Sequence, residues 1–265
     1  MSDYRSRDWT GLNLQIDGHT AIVTLATPPA NTWTVHSLAD LRDMVLALNA
    51  ARDIWALVLT GEGEKFFSAG ADLKQFADGD KAQAREAARR FGEAFETLSG
   101  FRGVSIAAIN GYAMGGGLEC ALACDLRIAE EQAQMALPEA SVGLLPCAGG
   151  TQNLTRLAGE GWAKRMILLG ERIDAATALR IGVVEEVVAK GEALAKAREW
   201  AARAGKQSPI AVAACKQLVQ ITRSQSHAAG LISERELFVD LFDSADQADG
   251  VTAFLEKRAA QWTNR

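Results

Sequence analysis

The 265-residue chain predicts an α/β fold that gives way to a helical C-terminal portion. Three observations carry that expectation. Short β-branched apolar runs alternate with helical patterns over the first two thirds. From residue 150 onward, amphipathic segments follow one another. Hydrophobic residues make up 48% of the chain, ample to bury a large core. The expected division is an α/β core with the active site at 1–200 and a helical region at 201–265 that packs on the core and on neighbouring subunits.

The strands come first. "TAIVTLAT" (20–27), "IWALVLTG" (54–61) and "VSIAAIN" (104–110) are short, apolar and bounded by turn residues, which suits strands buried on both faces. Between them, "VHSLADLRDMVLALNAA" (35–51) repeats Leu38, Leu41, Val45 and Leu48 at helical spacing. A second helical pattern spans 80–100 and closes on Gly100. Past residue 150 the pattern reads as helix after helix. "TQNLTRLAGEGWAKRMILLG" breaks at Gly159 and Gly161, and "DAATALRIG" starts on Asp174 as an N-cap and stops at Gly182. Four further helical segments are expected at 192–205, 209–222, 226–243 and 246–260.

Composition narrows the function. A net charge of −5 with no Lys/Arg cluster disfavours a nucleic-acid footprint. The N-terminus "MSDYRSRDWTGLNLQ" is polar and acidic, and no apolar stretch is long enough to cross a bilayer, so no membrane partner and a cytoplasmic location are expected. Cys120 and Cys124 sit at i,i+4, but the three histidines lie far from them in sequence. Cys120, Cys124, Cys147 and Cys215 are read as small buried hydrophobes, with no metal site.

Chemistry concentrates in "NGYAMGGGLECALACDLRIAEEQAQMALPE" (110–139). Gly115, Gly116 and Gly117 precede a short helical stretch whose first N–H groups have no intrahelical partner. Two readings stay open: an oxyanion site at the helix tip, or close helix–sheet packing without a ligand. Glu119 shares its face with Leu122, Ala123 and Leu126, so burial should raise its pKa while nearby helix N–H groups lower it. Such a carboxyl suits acid–base work near neutral pH. Glu139 follows Pro138; by itself it reads as a helix-start acid in a surface loop. Upstream, Ala69-Gly70-Ala71-Asp72 marks a sharp bend that could display a second backbone donor.

Taken together, "FFSAGADL", "INGYAMGGGLECALACDLRIA" and "ALPEASVGLLPCAGGTQNL" closely resemble the enoyl-CoA hydratase/isomerase family, the crotonases. The likeness continues through "ERIDAATALRIGVVEEVV", "SPIAVAACKQLV" and "GVTAFLEKRAAQW", from about residue 10 to 262. The resemblance implies a crotonase-like spiral of stacked ββα units with a C-terminal trimerisation region, assembled as a trimer or a dimer of trimers. It implies an acyl-CoA thioester substrate, as in fatty-acid β-oxidation, with its carbonyl oxygen held by the N–H groups of Ala71 and Gly116. It matches Glu119 and Glu139 to the catalytic pair of the family's hydratases, which points to hydration of a 2-enoyl-CoA. No cofactor is expected, since coenzyme A is part of the substrate. Coenzyme A contacts are expected from Ala69, Ala71, Asp72, Leu73, Lys74, Gly115, Gly116 and Lys257. The alternatives are double-bond isomerisation, dehydration of a specialised hydroxyacyl-CoA, or acyl-CoA binding without catalysis. Three departures from the family pattern bear on the substrate: "PPANTWT" (28–34) for the common "RPxxxNAL", Cys147 for a usual glycine, and Asn153 for a usual arginine.

Overall fold

β-Branched and leucine-rich runs form strands where both faces are covered, and the chain winds through two sheets to achieve this. The computed structural model describes residues 4–265; residues 1–3, the start of the stretch read as lacking a targeting signal, lie outside them. The chain opens with an antiparallel pair, β1 (Leu12–Asp17) and β2 (Thr20–Leu25). α1 (Val35–Ala50) follows, its N-terminus held by a reciprocal Thr34–Ser37 capping box. Next come β3 (Ala56–Gly61), β4 (Phe66–Ser68) and α2 (Lys81–Ser99), the last capped by Asp80. β5 (Val104–Ile109), β6 (Tyr112–Met114) and α3 (Gly116–Ala123) repeat that order. β7 (Leu126–Glu130), β8 (Gln134–Ala136) and α4 (Gly150–Leu168) repeat it again. The chain then runs through β9 (Ile173–Asp174), α5 (Ala175–Arg180), β10 (Glu186–Val188) and α6 (Ala193–Ala204). It ends in α7 (Pro209–Ile221), α8 (His227–Asp240) and α9 (Ala245–Glu256).

The strand order explains the spiral. One sheet runs β1-β2-β3-β5-β7-β10 and the other β4-β6-β8-β9. Each ββα turn therefore adds one parallel strand to each sheet, next to the strand laid down by the previous turn. The expected α/β core of stacked ββα units is what the chain forms. Alternate residues of β3 point to opposite cores. Leu57 and Leu59 join the cluster with α1, α2 and α3, while Ala56 and Val58 face Ala193, Ala197 and Ala201 of α6. Asn110, just after β5, fastens the turn that follows β3, donating to Gly61 O and Gly63 O and accepting from Gly61 N–H. Lys216 of α7 fastens the C-terminal helices to the core through Phe101 O, Gly103 O and Asp125.

Several expectations need correction. The region after residue 150 is not purely helical, because β9 and β10 complete the two sheets. Gly159, at φ 78°, interrupts α4, but Gly161 does not. α9 stops at Glu256 rather than 260, because Lys257 takes the left-handed conformation at φ 56°. Cys120 and Cys124 are buried, as expected of small hydrophobes, but Cys147 and Cys215 are exposed. Among the described residues, no helix is long and apolar enough to cross a membrane.

Candidate active site

Two glycine-bearing turns meet where the second sheet joins α3. At the first, Gly70 sits at φ 89°, and a Cβ there would lie 2.6 Å from Met114 O, so only glycine fits the bend. Its neighbour Ala71 bridges Trp33. The Trp33 N–H donates to Gly70 O and the Asp72 N–H donates to Trp33 O, which turns the N–H of Ala71 the other way. At the second turn, Gly115 adopts φ 52° and donates to Ala136 O, and Gly116 opens α3. Among the described residues no acceptor takes the N–H of Ala71 or of Gly116.

The glycines divide the two readings between them. A Cβ on Gly117 would lie 2.2 Å from Ser68 O, so Gly117 serves close packing of α3 on β4. Gly116 packs within 3.7 Å (from an ideal Cβ) of the Gly70 Cα and beside Phe91, and keeps a free amide. The two open N–H groups thus belong to segments in direct backbone contact.

Glu119 is 2% exposed. Its Oε1 accepts from Ala148 N–H and Gly150 N–H, both at 2.8 Å. Burial raises its pKa above the ordinary glutamate value, and those two N–H groups oppose the rise. The opposing donors were expected from its own helix; they come instead from the start of α4. Leu126 does not share the Glu119 helix face, because α3 ends at Ala123 and Leu126 begins β7.

Glu139 differs from the expected surface-loop acid. It opens a 3-10 turn (Glu139–Val142) behind Pro138, and both carboxyl oxygens are buried with no hydrogen-bond partner. Burial pushes its carboxyl up to about 7, its own backbone N–H opposing and the charge of Glu119 adding to the rise. Gly115 makes room for it, since a Cβ there would sit 3.1 Å from Glu139 Oε1. Gly150 does the same for Glu119, at 2.8 Å from Oε1.

Both carboxyls border one cavity of about 520 Å³, together with Ala69, Ala71, Leu73, Gly115 and Gly116. The structure therefore brings seven of the ten expected site residues together. Asp72, Lys74 and Lys257 do not border the cavity. Asp72 instead caps the 3-10 turn Leu73–Phe76 by accepting from Lys74 N–H, and Lys257 is exposed at the end of α9. Cys147, exposed as a residue, borders the cavity too, and partial burial of its thiol there, then the charges of Glu119 and Glu139, push it up to about 11. Sequence reasoning missed Ala148 and Gly150. Their signal was the Gly149-Gly150 pair, which marks the start of a helix whose first amides need an acceptor. Among the described residues no cluster of His, Cys, Asp or Glu is placed to hold a metal ion.

Comparison with known proteins follows the same line. The family model described as enoyl-CoA hydratase/isomerase matches residues 15–265. The chain is 37% identical to the short-chain-enoyl-CoA hydratase of Clostridium acetobutylicum, over 92% of this chain and 94% of that one. It is 38% identical to the 2,3-dehydroadipyl-CoA hydratase of Escherichia coli, over 92% and 95%. Its fold matches a solved structure of Pseudomonas aeruginosa DspI with a TM-score of 0.95 and 64% identity, covering 97% of this chain and 99% of that one.

Proposed function

The chain belongs to the enoyl-CoA hydratase/isomerase family, and on that premise we propose that it adds water across the C2=C3 double bond of a 2-trans-enoyl-CoA to give a 3-hydroxyacyl-CoA. The observation that carries this reading is a pair of glutamates on one cavity, held in unlike environments. Glu119 is clamped by two N–H groups, and Glu139 has no partner and a raised pKa. Two carboxyls kept apart in this way suit one base and one acid.

In the proposed mechanism the thioester oxygen lies between the N–H groups of Ala71 and Gly116. Glu119 takes a proton from water as its oxygen bonds to C3. The π electrons move toward the thioester oxygen, and the two N–H groups stabilise that charge, each worth roughly 10²–10³ in rate. Glu139 gives its proton to C2, which restores the carbonyl. Water addition is redox-neutral, so the step needs no oxidant or reductant. The two carboxyls then exchange the proton as a coupled pair. We propose in addition that the exposed Phe238, Phe242, Phe254 and Leu255 are covered by further copies in a trimer or a dimer of trimers, a state that sedimentation measures.

The test is loss of the conjugated-thioester ultraviolet absorbance with crotonyl-CoA, with the hydroxyacyl product identified by mass. A chain that leaves crotonyl-CoA untouched but converts a 3-enoyl-CoA would be an isomerase. One that binds acyl-CoA without turnover, unaffected by Glu119→Gln, would be a binding protein.

A further inference from the structure

Away from the two glutamates, the walls of the cavity of about 520 Å³ are hydrocarbon. On one side α2 presents Phe91, Ala88 and Ala84, spaced so that they follow one another along a single helix face. Phe91 lies at the inner end, beside Gly116, where a thioester carbonyl would sit. Ala88 and Ala84 lead from there toward solvent, about 10 Å along the helix axis at an α-helical rise. On the other side the chain just after Glu139 supplies Val142, Leu144 and Leu145, which are 54%, 42% and 68% exposed. Apolar side chains this open, on both sides of one groove, have no packing duty in the chain itself.

Charge is equally telling. Among the described residues the ionisable groups on this cavity are Glu119, Glu139 and Cys147, with no lysine, arginine or histidine. The hydroxyl of Ser141 is already donated to Pro138 O. A tail ending in a carboxylate would find no cation on these walls and only hydrocarbon beside it.

We infer that the groove between the Ala84–Ala88–Phe91 face and Val142–Leu144–Leu145 holds the acyl tail, that the two alanines set its length, and that the preferred substrates are 2-enoyl thioesters with hydrocarbon tails longer than crotonyl. This inference rests on the hydratase reading and names its substrate class. It sets the chain apart from the relative named for 2,3-dehydroadipyl-CoA, whose substrate name denotes a dicarboxylic chain.

The experiment compares kcat/KM for crotonyl-, 2-hexenoyl-, 2-octenoyl- and 2,3-dehydroadipyl-CoA in the full-length protein and in Ala84→Phe and Ala88→Phe. The six-carbon pair isolates the terminal carboxylate. The native protein should prefer octenoyl- over crotonyl-CoA by at least about tenfold, since each added buried methylene contributes to transfer from water. It should disfavour dehydroadipyl- against hexenoyl-CoA by a similar factor. Each phenylalanine variant should lower the octenoyl-to-crotonyl ratio at least about tenfold. Both alanines are exposed, so neither variant should disturb folding, and thermal melts check this. Equal rates for the six-carbon pair, a crotonyl preference, or an unmoved ratio in both variants would overturn the inference. Calorimetry with butyryl- and octanoyl-CoA separates it from the hydratase reading. Tighter octanoyl-CoA binding, lost in Ala88→Phe, upholds the tail groove even if no enoyl-CoA is hydrated, and equal binding of the two rejects it.

Discussion

Glu119 and Glu139 border the same cavity, yet the protein treats them in opposite ways. Glu119 caps the start of α4 and is fixed by two backbone N–H groups. Both oxygens of Glu139 are enclosed with no hydrogen-bond partner, and only its own backbone N–H lies close enough to act on the carboxyl. One carboxyl is part of the scaffold and the other is merely shielded. The difference teaches that two carboxyls on one cavity can be held in unlike states by an unequal supply of backbone donors.

Glutamine at either position should break catalysis. Glu139→Gln and Glu119→Gln are expected to lower kcat by roughly 10²–10⁴ with KM little changed, read from steady-state hydration of an enoyl-CoA. Gly150→Ala is the next largest effect. Its Cβ would press on Glu119 Oε1 and displace the clamped carboxyl, so kcat should fall by roughly tenfold to a hundredfold while the fold persists.

Alanine sharpens the contrast through stability. Glu119→Ala leaves the N–H groups of Ala148 and Gly150 without their acceptor and should cost about 2 kcal/mol or more in denaturant unfolding. Glu139→Ala orphans nothing and should be neutral or stabilising at pH 8. Equal losses from both would erase the distinction.

The smallest effect is in pH dependence. Glu139 holds its proton more tightly in the folded than in the unfolded chain. Its contribution to stability is therefore full below the ordinary value of 4.5 and is lost as pH rises through about 7. Glu139→Gln should remove that slope, by on the order of 1 kcal/mol once solvent screening at a half-buried site is allowed for. The alkaline limb of kcat/KM, expected near 7 for a required acid, should vanish in whatever activity the variant retains.

Much of this was legible in the chain. The strands at 20–25, 56–61 and 104–109, α1 and α2 announced themselves through β-branched runs, helical spacing and end caps. The three-residue strands β4, β6, β8 and β10 did not, because three residues carry no periodicity; they exist by pairing with a neighbouring turn of the spiral. At the site, Ala71, Gly116, Glu119 and Glu139 could be named from motif position. The clamp on Glu119 could not, since its donors lie 29 and 31 residues away and are brought in by the start of α4. Lys257 was misplaced on a continuing helix because its left-handed backbone leaves no mark in composition.

The contact of Gly117 with Ser68, and of Gly116 with Gly70, has a wider meaning. These turns are pressed together with no room for a side chain, so the proposed reacting centre is a closely packed module that tolerates little revision. Apart from the buried Phe91, the proposed tail walls, Ala84, Ala88, Val142, Leu144 and Leu145, are exposed residues free of that duty. Selection can reshape one without loosening the other, so a lineage built on this plan can change what it accepts while keeping how it reacts.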